Sequence, residues 1–158
     1  MRTLIVYYSR TGVTKAVAEA LGRGLIADVE EIVDRKRRAG VLGYLAAGKD
    51  AVLGRLTEIS EAHHDPAGYD LVVIGTPVWA FTMAPAVRTY LTKHGWAIER
   101  AAFFCTMGGS GDKRTFQQMG EVLGKQPAAT LALVEREVRG GAFEGKVKDF
   151  AAALAGGG

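Results

Sequence analysis

Ser9, Thr11, Gly12 and Thr14 fall within six residues, directly after the apolar run TLIVYY. Three hydroxyls and a glycine at the end of a buried strand suit a phosphate. Hydroxyls donate to its oxygens, and glycine lets backbone N–H groups approach closely. Val13, Val17 and Leu21 then recur every four residues, so a helix opens from this stretch. Its start brings unused N–H donors and a positive partial charge. Lys15 in that first turn opposes the helix dipole unless an anion sits nearby. Arg10 either helps hold the anion or is solvated. The plainer alternative is that Thr11 or Thr14 simply caps the helix. The crowding of donors, and two further loops, favour phosphate.

Two other apolar runs end the same way. DLVVIG leads into TPVWAFT (76–82), and AAFFCT leads into TMGGSGD (106–112). Trp79 and Phe81 at a sheet rim suit stacking on a planar ligand. Alternatively they plug the start of the helix at Pro85. The glycines of the third loop offer backbone donors and acceptors to the edge of a heterocycle. Asp112 reads as the N-cap of the next helix. Other phosphate chemistries are not encoded. There is no G-x-x-x-x-G-K-[ST], no G-x-G-x-x-G after the first strand, and no acidic pair there for phospho-acceptor chemistry. Cys105, the one cysteine, lies in an apolar run and reads as an inert buried thiol. It has no internal disulfide partner, so a reducing, cytoplasmic setting is expected. His63, His64 and His94 read as solvated or capping groups, and no Cys/His spacing suggests a metal.

These loops need elements to carry them. Strands are expected at 3–8, near 26–33, and at 70–75, 101–106 and 131–138. Helical stripes lie between them: Val87, Tyr90 and Leu91; Phe116, Met119 and Leu123; Phe143, Val147, Phe150 and Leu154. Strand and helix alternate, which predicts an α/β fold with a parallel sheet covered on both faces. The first, third and fourth strands are nearly all apolar, as central strands are. The second carries Asp28, Glu30 and Glu31, and the fifth Glu135, Arg136 and Glu137, as edges would. That favours a flavodoxin-like, three-layer arrangement of five strands in the order 2-1-3-4-5. Its ligand crevice lies between strands one and three, at their carboxyl ends, where all three loops converge.

The 158 residues suit a single domain, with one oddity at about 34–60. Arg35-Lys36-Arg37-Arg38 opens that insertion. Val41, Leu45, Val52, Leu53 and Leu56 form a loose helical stripe, weakened by four glycines at roughly 1 kcal/mol each. The formal net charge of +3 is too slight for a dedicated nucleic-acid binder. No signal peptide is apparent. The longest uncharged stretch, 71–87, holds two prolines and falls short of the roughly 20 apolar residues of a membrane span.

SRTGVT resembles the [ST]-x-T-G-x-T phosphate loop of the flavodoxin family. GTPVWAFTMAPAVRTYL and TMGGSGDKRTF resemble the second and third flavin loops of bacterial flavodoxin-like proteins. The likeness runs from Arg2 to about Leu154, apart from 34–60. It implies non-covalent FMN. Carried over by position, Ser9, Arg10, Thr11, Gly12, Val13 and Thr14 would wrap the phosphate. Thr76, Pro77, Val78, Trp79 and Ala80 would line the ring and ribityl chain. Thr106, Met107, Gly108 and Gly109, with Gly111 and Asp112, would flank the ring's other side. The chain departs from the pattern in three ways. It is net positive where shuttling flavodoxins are acidic. It has Ala80 where many place a glycine whose peptide flips toward the ring. It carries the basic insertion, readable as a flap, an anionic-partner site or a membrane-surface contact. The resemblance implies a redox carrier serving a partner protein or small-molecule acceptor. The alternative is an FMN-dependent NAD(P)H:quinone-type oxidoreductase. A flavin-free module that holds an acidic partner is a third option. The sequence leaves oligomeric state open.

Overall fold

A computed structural model of the chain describes residues 1–35 and 56–157. Most of the basic insertion, including Lys36 to Arg38 and the stripe from Val41 to Leu53, lies outside the described residues.

β1 (Thr3–Tyr7) is wholly buried. It pairs in parallel with β2 (Asp28–Glu31) on one side and β3 (Leu71–Trp79) on the other, with Ile5 opposite Val29 and Val73. β5 (Ala101–Met107) follows, with Ile74 opposite Phe103, and β6 (Thr130–Val134) pairs beyond it. The parallel path is β2-β1-β3-β5-β6, the expected order of five. A short β4 (Thr82–Met83) folds back antiparallel on the end of β3.

Helices fill both faces because their apolar residues recur on one side. α1 (Val13–Leu25) buries Val13, Val17, Ala18 and Leu21. α5 (Glu144–Gly156) buries Val147, Phe150, Ala151 and Leu154 beside it. Together they cover Ile5, Val73 and Phe104. α2 (Pro85–His94) and α3 (Asp112–Leu123) cover the other face, where Leu4, Ile74 and Phe103 meet Val87, Leu91 and Met119. Pro at the start of α2 and left-handed Gly124 at the end of α3 supply the expected punctuation.

Three sequence expectations need correction. The stretch 76–82 is not an irregular loop, because β3 continues to Trp79 and turns tightly into β4. The run 131–138 is not one strand. β6 stops at Val134 and α4 (Glu135–Arg139) begins, its N-terminus closed by the Val134 N–H donating to Glu137 at 3.0 Å. Charges 135–137 therefore sit on a helix and say nothing about an edge, although β6 does end the sheet. His64 is neither freely solvated nor a helix cap, because it lies against the buried carboxylate of Glu30. Glu30 Oε1 accepts the His63 N–H (3.0 Å) and the His64 N–H (2.7 Å), and it lies 2.6 Å from His64 Nδ1. His63 and His64 thus fasten the returning chain to β2.

Candidate functional site

The carboxyl ends of β1, β3 and β5 open onto one rim, and a cavity of about 440 Å³ lies there. Such volumes are typical of small-molecule and cofactor sites.

The first wall is the turn from β1 into α1. Gly12 is the helix N-cap in left-handed backbone (φ 96°), and no side chain caps the helix. The capping role open to Thr11 or Thr14 is therefore not taken. Ser9 Oγ instead accepts the Gly12 N–H at 3.0 Å, which holds the turn. The first-turn N–H groups of Val13, Thr14 and Lys15 have no partner within the helix. A Cβ built on Gly12 would touch nothing within 4 Å, so the backbone there lies open. Thr14 Oγ1 and Thr106 Oγ1 share a buried hydrogen bond of 2.8 Å, which ties α1 to β5. Arg10, Thr11, Val13 and Thr14 line the cavity.

The second wall is the β3–β4 hairpin, through Pro77, Val78, Trp79 and Ala80. Trp79 meets buried Tyr8 edge-on, with ring centroids 5.4 Å apart. The two turn residues, Ala80 (φ 50°) and Phe81 (φ 65°), are both left-handed. That is the signature of a type I′ turn, which normally takes Asn-Gly. Holding two L side chains there costs on the order of 1 kcal/mol each. The fold holds the turn through the Trp79–Thr82 pair and a Thr82–Gln118 hydrogen bond.

The third wall is Thr106, Met107 and Gly108. Gly111, not Asp112, is the N-cap of α3, again left-handed (φ 105°) and without a side-chain cap. Asp112 is the first helical residue, where its charge suits the dipole. Gly111 also sets the spacing of the walls, since a Cβ there would come within 2.7 Å of Val78 and 3.3 Å of the Phe81 Cα.

Eleven of the residues singled out from sequence line the cavity. Ser9, Gly12, Thr76, Gly109, Gly111 and Asp112 do not. Thr76 is fully buried, and its hydroxyl is spent in the scaffold. It donates to Pro77 O (2.8 Å) and accepts the Ala84 N–H (3.0 Å), which pins the hairpin to the start of α2. The lining also includes Glu135, which sequence reasoning missed. Ending β6 at Val134 puts residue 135 on the same rim as the other loops. Glu at N3 was a weak sign of that boundary, because the N-cap is Val134 and not the hydroxyl or amide residue that completes a capping box. Glu135 is paired with Arg139 at 2.7 Å. Burial pushes the Cys105 thiol up to about 12, so it stays protonated and takes no part. Among the described residues no His, Cys, Asp and Glu group could hold a metal, and no helix is long and apolar enough to cross a membrane.

A sheet in this order, with its cavity at the carboxyl rim beside β1 and β3, is a flavodoxin-like fold. The chain is similar to a flavoprotein from Lactobacillus acidophilus NCFM solved in complex with FMN. The two share 26% identity over 88% of this chain and 97% of that one, with a TM-score of 0.75. Its fold is also similar to that of a structure from Bacteroides uniformis ATCC 8492 (20% identity, 94% and 96% covered, TM-score 0.77). Flavodoxin 2 from Bacillus cereus aligns over the full length of both chains at 16% identity and a TM-score of 0.61. No protein-family model and no curated protein matches the sequence.

Proposed function

We propose that this chain binds FMN non-covalently and acts as an electron carrier. One observation carries the reading. A helix start that no side chain caps faces an aromatic hairpin across a single cavity. The first feature favours a phosphate and the second a flat ring, and FMN has both. The likeness to the FMN-bound Lactobacillus acidophilus flavoprotein supports it.

Thr11 and the open amides of the α1 turn would hold the phosphate, with Arg10 at the rim. Val78, Trp79 and Met107 would flank the ring and exclude water from it. The Thr14–Thr106 bond keeps the two ends of the site in register. When bound, FMN supplies one- and two-electron transfer, and the protein sets orientation and environment.

Flavin fluorescence quenching tests the binding. Thr11→Ala should weaken FMN about tenfold, the worth of one charge-assisted hydrogen bond, and leave riboflavin within about twofold. Gly12→Asp, adding a like charge on left-handed backbone, should cost more. Equal losses for both ligands would mean the loop does not grip phosphate. Carrier function predicts an anaerobic reductive titration in two resolved one-electron stages. It also predicts no NAD(P)H oxidation with a panel of quinones beyond that of free FMN. Turnover there would move the assignment to the reductase.

A further inference from the structure

The apex of the β3–β4 hairpin presents an aromatic ring to water beside the cavity mouth. Phe81 is 56% exposed and is not part of the cavity lining, whereas its neighbour Ala80 is. The ring stands on a turn whose backbone disfavours it. Nothing in the core uses it.

The surroundings of this apex are poor in acid and rich in cations. From Val78 to Arg88, through the hairpin and the first turn of α2, the chain has no Asp or Glu, and it carries Arg88. Arg88, on α2, reaches toward the hairpin. Its Nη2 lies 3.4 Å from Thr82 Oγ1 and 3.5 Å from Gln118 Oε1, both neutral oxygens at long range. Among the described residues it has no carboxylate partner. Arg114 is exposed and one helical turn before Gln118, so it flanks the same edge of the hairpin. Lys113 is exposed beside it, next to the Gly111 backbone on which Phe81 packs. Asp112 is the one acid in this turn.

We propose that Phe81, Arg88, Lys113 and Arg114 form a docking surface for an acidic protein partner. An exposed ring flanked by cations is the composition of an interface centre, and the charge selects the sign of the partner. The surface rests on the electron-carrier reading only for what the partner would do there, not for where it binds.

The test is an amide chemical-shift titration of the FMN-loaded protein with poly-L-glutamate, with poly-L-lysine as control. Poly-glutamate should shift Ala80 to Thr82, Arg88 and Lys113 to Gln118. An Arg88→Gln/Arg114→Gln double variant should weaken it roughly three- to tenfold, the worth of one half-buried and one exposed charge pair. A copolymer of glutamate and tyrosine should bind tighter than poly-glutamate alone. Phe81→Gly, a residue that suits the left-handed turn, should abolish that gain while thermal unfolding shows an intact fold. Equal binding of poly-lysine overturns the proposal. So do shifts confined to the neighbourhood of Arg35, or no effect of either variant. Flavin absorbance is read in the same samples. A preparation that takes up no FMN but shows this pattern keeps the surface and sinks the cofactor reading.

Discussion

Ile26 closes α1 in left-handed backbone (φ 50°) with its side chain 94% exposed. A β-branched residue is poorly suited to that region, and an αL helix end normally takes glycine. The fold gains no packing in return. Ile26→Gly is therefore expected to stabilise the protein by about 1 kcal/mol. A chain of this size would melt about 2–4 °C higher, which differential scanning calorimetry reads directly. An unchanged or lower melting temperature would show that Gly's extra freedom in the unfolded chain outweighs the relieved strain. Residue-level chemistry was legible where it depends on neighbours in sequence. Ser9 to Thr14 announced a donor-rich helix start because strand, turn and helix follow directly. Thr76 stands behind the lining because its place in β3 turns it inward, where Ala84 and Pro77 use its hydroxyl. The burial of Glu30 was not legible because the groups that hold it lie some thirty residues downstream.

At the scale of elements, one carboxylate fastens the His63–His64 end of the strap after the insertion to the sheet edge. Glu30 gathers two backbone N–H groups and lies against one imidazole nitrogen. Thr57 exchanges two hydrogen bonds with Thr89 on α2 nearer the insertion. Glu30→Ala leaves the two His amides without their acceptor, a loss on the order of 2 kcal/mol. The expected result is faster hydrogen exchange at His63 and His64, with β1, β3 and β5 still protected and FMN affinity unchanged. Global loss of protection would mean the strap is integral to the sheet. Strand order was readable because central parallel strands are nearly all apolar. The hairpin was not, because Ala80-Phe81 breaks the turn chemistry that marks a two-residue connection. The β6–α4 boundary has no glycine or proline to announce it.

For the whole molecule, the buried acids of the sheet set an alkaline limit. Burial pushes the Cys105 thiol up to about 12 from an ordinary value of 9.0, and burial together with Glu31 and Glu19 pushes Tyr7 from 10.0 to about 12. Below pH 9 both groups are protonated folded or unfolded, so they do not affect stability. Between 9 and 12 the unfolded chain releases protons that the folded chain retains, so stability falls as pH rises. Urea midpoints should decline from pH 9 upward, and Cys105→Ala should flatten part of that decline. An unchanged slope in the variant would clear the thiol of any part in it. Native Cys105, fully buried and held protonated by that burial, should also resist iodoacetamide at pH 8.

The chain on either side of residues 36–55 comes together at one place. Asp34 bridges Ile59, the Ser60 N–H donates to Val33 O at 2.9 Å, and the Arg35 N–H donates to Glu58 O at 2.9 Å. Its two ends are thus stapled together beyond the end of β2, on the rim that carries the cavity. Because closure entropy grows only with the logarithm of loop length, pairing 33–35 with 58–60 costs little more than pairing segments closer in sequence, so these few backbone bonds are enough to fix the exit from β2.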